Sequence, residues 1–110
     1  MSTIEITLDN HDSIVAKGIV AIDFYASWCG PCKAFAPIFE ASSEANTDIS
    51  YGTINTDEQQ ELAAQYNVRS IPTLVIYKDG KPVFSQPGAQ SASSLESLLT
   101  QVKELNGADS

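Results

Sequence analysis

The sequence predicts an α/β fold: a mixed five-stranded β-sheet flanked by four α-helices. Three observations point there. Strand-like and helix-like hydrophobic patterns alternate along most of the chain. Residues 19–25 (IVAIDFY) form a nearly unbroken apolar run, as expected of a central strand buried on both faces. Asp79-Gly80 separates two short apolar runs as a hairpin turn would. The resulting order is βαβαβαββα. Strands separated by helices imply parallel pairs, and the hairpin adds an antiparallel one.

Each element has its own justification. Residues 4–8 (IEITL) alternate and read as a first strand. A short helix is expected from Asn10 to about Ala16, with Asn10 or Asp12 as cap and Gly18 as stop. After the central strand, Pro31 to about Asn46 reads as a helix. Phe35, Ile38, Phe39, Ser42 and Ala45 fall on one face of it, and Pro31 sits in the first turn, where proline is tolerated. Pro37, inside the same helix, is expected to kink it. Residues 49–55 form the next strand, and Thr56 or Asp57 is expected to cap a helix reaching about Tyr66. Residues 73–78 and 82–86 flank the Asp79-Gly80 turn. Ser93-x-x-Glu96 reads as a capping box for a final helix, whose apolar face is Leu95, Leu98, Leu99, Val102 and Leu105. Asn106-Gly107 would end that helix, and the last residues are expected to fray. Phe35, Phe39, Phe84 and the leucine stripe are expected in the core. His11 is expected on the surface of the first helix.

Composition limits the function. The 110 residues suit a single domain spanning 1–110, and 43% hydrophobic content is enough for a core without disulfide staples. Six Lys+Arg against fourteen Asp+Glu give a net charge of −8, which argues against a nucleic-acid or anionic-membrane surface. The segment MSTIEITLDNHD lacks a basic region followed by an apolar stretch, so no secretory signal is expected, and no apolar run is long enough to span a bilayer. The expectation is a cytoplasmic protein, in a compartment where thiols stay reduced unless chemistry oxidises them.

Residues 24–35, FYASWCGPCKAF, hold both cysteines, Cys29 and Cys32. Such a pair could be a metal clip, a structural staple or a redox couple. Zinc needs three or four ligands, and the chain offers two Cys and one His, with His11 in a different element, so no metal site is expected. A staple closing so short a loop removes only about 2 kcal/mol of chain entropy. Redox work fits better. Residues three apart at a helix start can reach disulfide geometry. The first thiol sits at the helix N-terminus, where unpaired N–H groups and the dipole favour the thiolate. The second lies one turn further in, more buried, and suits resolving rather than attacking.

WCGPCK at 28–33, preceded by IDFYAS, followed by APIF at 36–39, RSIPTL at 69–74 and a glycine at 88, resembles the thioredoxin family. The similarity runs from about Ile4 to Leu105, in order and with matching spacing. It implies the thioredoxin fold and a thiol–disulfide oxidoreductase. In that reading Cys29 attacks a disulfide of a partner protein and Cys32 resolves the mixed disulfide. A separate thioredoxin reductase would restore the dithiol. The chain has no Gly-x-Gly-x-x-Gly, so reducing power must come from a separate protein; no cofactor is expected on the chain itself, and NADPH would act only through the reductase. Disulfide-containing proteins would be the other partners, and the protein would act as a monomer.

The resemblance also assigns neighbours. Asp23 interrupts the apolar run. Buried there, its pKa would rise and it could exchange a proton with Cys32. Trp28 would shield the site and contact partners. The Ile71–Pro72 bond would be cis and face the dithiol, with Ile71 offering backbone groups to an extended substrate. Gly88 would let a partner approach closely. The expected docking surface is Trp28, Gly30, Pro31, Ile71, Pro72, Gly88 and Ala89. The segments 24–39, 62–77 and 82–95, expected around the site, contain Lys33 and Arg69 and no Asp or Glu. One position departs from the family: many relatives carry a lysine where Thr53 stands, near the buried aspartate. Two other readings stay open on the same fold, a disulfide oxidase or isomerase and a thioredoxin-like binding subunit. Pro31 argues against the oxidase, because more oxidising relatives often place a histidine there. The intact dithiol, Asp23 and Pro72 argue against an idle subunit.

Overall fold

A computed structural model describes residues 2–105. The elements are β1 (Thr3–Glu5), α1 (His11–Val15), β2 (Ile19–Tyr25), α2 (Gly30–Ala45), β3 (Ser50–Asn55), α3 (Gln60–Gln65), β4 (Thr73–Lys78), β5 (Lys81–Pro87) and α4 (Ala92–Glu104). They form the thioredoxin fold, with one five-stranded sheet in the order β1-β3-β2-β4-β5. β3 pairs in parallel with both β1 and β2. β4 runs antiparallel to β2 as well as to β5, so the sheet has two antiparallel pairs where the hairpin alone accounts for one. Asp79 and Gly80 both adopt positive φ (52° and 86°), the geometry that lets a two-residue turn follow the twist of its strands.

Strand parity builds the interior. Val20, Ile22 and Phe24 join Ile6, Val15, Ile54, Leu62 and Val75 in one cluster beneath α1 and α3. Ala21 points the other way, into Phe35, Phe39, Tyr51, Leu74, Ile76, Leu95 and Leu99 beneath α2 and α4. Period-two alternation sends Asp23 to the same side as Ala21. A carboxyl is thereby carried into the core under α2, and Asp23 is only 3% exposed.

Several expected boundaries move. β1 ends at Glu5, because the Asn10 side chain stitches the following turn: its Oδ1 accepts from Thr7 N–H (2.8 Å) and its Nδ2 donates to the Glu5 carbonyl (3.0 Å). Ile6 is still fully buried, while Ile4 and Leu8 lie on the outside. α3 starts at Gln60, not after Thr56 or Asp57. Asn55 Oδ1 accepts from Asp57 N–H and Glu58 N–H (2.9 and 3.3 Å) and holds those residues in a turn. α4 is capped by Ser91, whose Oγ accepts from Ser94 N–H (3.1 Å). Glu96 reaches across to Ser42 Oγ (2.7 Å) and Asn46 Nδ2 (3.2 Å) instead of closing a capping box. α2 runs unbroken through Pro37. Ala45, at the end of its expected core face, is exposed, as is Leu105, just past the end of α4. Asn106-Gly107 and the tail lie outside the described residues.

His11 is not a surface residue. It is 8% exposed, between Asp12 (Nδ1 to Oδ1, 2.8 Å) and the Tyr66 hydroxyl on Nε2. A hydrogen-bonded imidazole can sit in an apolar cluster that a bare one could not.

Candidate active site

β2 delivers the chain to the carboxyl edge of the sheet, and the turn Ala26–Cys29 feeds it into α2. Cys29 N–H donates to the Ala26 carbonyl (3.2 Å), and Cys29 takes the cap position with extended backbone (φ −88°, ψ 117°). Its Sγ accepts from the Cys32 backbone N–H at 3.2 Å, filling the role that a serine or aspartate oxygen fills in other helices. Pro31 occupies the first turn, where a missing N–H costs nothing. The cap thus holds the sulfur against the positive end of the helix dipole. Cys29 and Cys32 are joined in a disulfide with Cα atoms 5.2 Å apart. Both are buried, Cys29 at 5% and Cys32 at 2%, so the first sulfur is only slightly the more open in this oxidised state.

The loop before β4 supplies the facing wall. The Ile71–Pro72 bond is cis, and the Ile71 carbonyl oxygen lies 3.8 Å from Cys29 Sγ. Thr73 Oγ1 donates to the Ser70 carbonyl (2.6 Å) and Gly88 N–H to the Pro72 carbonyl (2.8 Å), which ties this loop to β4 and to the chain leaving β5. Gly88 has φ +104°, a conformation side chains avoid, and open space where a Cβ would stand. Gly30 also faces open space. Ala89 is exposed beside Gly88.

Trp28 is 68% exposed, yet its ring is fixed, because its indole N–H donates to Asp57 Oδ2 (2.8 Å). Asp57 lies outside the three segments that carry no acid, so the surface around the dithiol is not acid-free: one carboxylate stands at its Trp28 edge. Nothing in the sequence near Asp57 flags that pairing. Arg69, whose Nε donates to Asn67 Oδ1 (3.4 Å), lines a small cavity with Trp28 and Ile71.

Behind the disulfide, Asp23, Cys32, Lys33, Ala36 and Thr53 share the lining of a cavity of ≈ 240 Å³. Asp23 Oδ1 is buried without a hydrogen-bond partner among the described residues. Burial pushes the Asp23 carboxyl up from 3.8 to about 7, because a charge here would lose its hydration. Thr53 is Asp23's neighbour in register across β2 and β3. Asp23 thus shares a cavity with Cys32, and Gly88 is tied to the cis Pro72 on the loop that faces Cys29. Among the described residues no group of three or more His, Cys, Asp or Glu side chains is placed to hold a metal, and no helix is long and apolar enough to cross a membrane.

The family model described as Thioredoxin matches residues 2–101. A thioredoxin of Chlamydia caviae is 41% identical over 96 residues, covering 87% of this chain and 94% of its own. A thioredoxin of Staphylococcus aureus is 41% identical over 102 residues, covering 90% of this chain and 96% of its own. Among solved structures, a variant thioredoxin from Halobacterium salinarum superposes with a TM-score of 0.88 at 36% identity, covering 96% of this chain and 94% of that one.

Proposed function

The chain belongs to the thioredoxin family, and from that premise we propose how its own residues divide the work of thiol–disulfide exchange. The protein is a thiol–disulfide oxidoreductase, a protein-disulfide reductase with a Cys29–Cys32 dithiol. Cys29 attacks. Its thiolate forms a bond to one sulfur of a partner disulfide, that disulfide breaks, and the departing sulfur leaves as a thiolate that takes up a proton. Cys32 then gives its proton to the Asp23 carboxylate and attacks Cys29 Sγ. The partner's second sulfur departs, and two electrons have passed to the partner while Cys29–Cys32 becomes the disulfide. A separate reductase drawing on NADPH returns two electrons. The partner segment lies along Trp28, Gly30, Pro31, Ile71, Pro72, Gly88 and Ala89, with Ile71 offering backbone groups to it. The working unit is a monomer of one domain, in the cytoplasm.

The observation that carries the assignment is the cap. Cys29 Sγ takes the Cys32 N–H at the helix start, and Cys32 lies behind it, sharing a cavity with Asp23. A sulfur held by a peptide N–H at the dipole's positive end is the better thiolate and the better leaving group. Incubation of each single-cysteine variant with a disulfide protein tests this. Cys32→Ser should accumulate a mixed disulfide through Cys29, and Cys29→Ser should accumulate almost none. Equal trapping by both variants would reverse or remove the division of roles.

A further inference from the structure

The one imidazole of the chain lies outside the dithiol site, on the other face of the sheet. His11 on α1, Tyr66 at the end of α3 and Tyr77 on β4 meet there edge to face, with ring centroids 5.6, 6.5 and 6.2 Å apart. Their polar atoms form one chain. His11 Nδ1 lies 2.8 Å from Asp12 Oδ1, His11 Nε2 contacts the Tyr66 hydroxyl at short range, and that hydroxyl lies 2.7 Å from the Tyr77 hydroxyl. With Nδ1–H donating to Asp12, Nε2 accepts from Tyr66 and Tyr66 accepts from Tyr77, so every partner is satisfied in one direction. The thiol chemistry uses none of these groups.

From this geometry we propose that Tyr66, with His11 as its proton acceptor, is a second redox site that takes up one-electron oxidising equivalents arriving through Trp28. A phenol that loses an electron becomes strongly acidic and must shed its proton in the same event. Here a base already holds that proton, and a carboxylate stands behind the base to stabilise the imidazolium that forms. Burial holds the Tyr66 hydroxyl well above its ordinary pKa, so prior ionisation is closed and the coupled route is the one left.

Access is through the surface indole. Trp28 is the sole tryptophan, stands 68% exposed and donates its N–H to Asp57. Val68, Arg69 and Ser70 line both the small cavity beside Trp28 and the one beside Tyr66, so the two cavities share a wall. The steps balance. A one-electron oxidant of the small-radical class takes an electron from Trp28 while the indole proton moves to Asp57. Tyr66 then gives an electron to Trp28, Asp57 returns the proton, and the Tyr66 proton moves to His11. The products are a reduced oxidant, a Tyr66 phenoxyl radical and a protonated His11. Tyr51 is the internal control: it is fully buried where Tyr66 is half-buried, but its hydroxyl meets Ser42, one hydroxyl removed from Glu96, and no imidazole.

Pulse radiolysis with the azide radical, on the disulfide form so that no thiol competes, tests the proposal. The indolyl band should decay as a phenoxyl band grows, at a rate independent of protein concentration. Tyr66→Phe should abolish that growth and Tyr51→Phe should leave it intact. His11→Gln should slow it about tenfold or more, the rate equivalent of one hydrogen bond. Each variant should keep wild-type disulfide reduction, which keeps this outcome separate from the dithiol assignments. Growth surviving at full rate in Tyr66→Phe, or an unchanged rate in His11→Gln, would overturn the proposal. If His11→Gln does not fold, the wild-type rate in heavy water decides: it should fall, and equal rates in light and heavy water would overturn the coupling.

Discussion

Asp23 buries a carboxyl where burial alone sets its acidity, and that choice costs stability. In the unfolded chain the group titrates at 3.8 and in the folded protein at about 7. Below pH 3.8 both states carry the proton and the group has no effect on stability. Between those values the folded state keeps a proton that the unfolded chain has lost, so stability falls as pH rises through the window. Above pH 7 the full cost is present, amounting to about 4 kcal/mol. Denaturant titrations of the disulfide form should show that decline, and Asp23→Asn should lack it. An equal slope in the variant would assign the decline to other groups. Thr53 sharpens the point. It stands beside Asp23 in register and lines the same cavity with a hydroxyl instead of an ammonium. Thr53→Lys should lower the Asp23 pKa, read by carboxyl-carbon NMR in the reduced protein, and speed resolution by Cys32 near neutral pH. An unchanged titration with the fold preserved would remove the electrostatic role of that position. Asp23 was legible in the sequence because a lone acid in an apolar strand has no solvent face. His11 was not, because its burial depends on the hydroxyl of Tyr66 and the ring of Tyr77, 55 and 66 positions away.

At the scale of elements, what could be read from sequence was what periodicity and local turn chemistry decide. The span of β2, the Asp79-Gly80 turn and the placement of Cys29 at a helix start follow from residues within a few positions of one another. The caps followed a different logic. Ser93-x-x-Glu96 has the spacing of a capping box, but Glu96 gains a buried hydroxyl on α2, and Ser91 caps instead. Asn10 and Asn55 likewise spend their side chains on turns that end or delay an element. Long-range partners outbid local patterns there, and sequence spacing carries no sign of them. β1 offers a test of such a partner. Gly52 on β3 pairs with Ile4, and a Cβ at Gly52 would overlap the Cδ1 of fully buried Ile6. Gly52→Ala should therefore destabilise by about 1–3 kcal/mol, as overpacking does. Ile6→Ala removes both overlapping carbons, Cδ1 and Cγ1, so the double variant should recover at least about 1 kcal/mol relative to additive single effects. Strict additivity in denaturant unfolding would mean that the strand moves as a whole and the contact is not the cause.

The whole molecule sets two electrostatic scales against each other. Its net charge of −8 acts at long range and repels acidic partners. Close to the dithiol the balance is different: Arg69 shares a cavity wall with Trp28 and Ile71, Lys33 lines the cavity behind Cys32, and the nearby carboxylate of Asp57 is held by the Trp28 indole. These two fields respond differently to salt. The long-range one is screened over about 10 Å at 0.1 M ionic strength, whereas contacts made inside a docked interface are screened far less. For an acidic disulfide protein, the second-order rate of reduction should therefore rise as salt is added, because repulsion before contact weakens while the cationic contacts persist. For a basic disulfide protein it should fall, and for a small neutral disulfide it should stay flat. Arg69→Glu changes the near field by two charges, from +1 to −1, and should slow the acidic partner at both low and high salt. Wild type and variant are compared by stopped-flow tryptophan fluorescence across a salt series. A rate for the acidic partner that falls with salt in wild type would mean that the cations near the dithiol, not the net charge, govern approach. An Arg69→Glu defect that vanishes at high salt would mean that Arg69 acts only before contact.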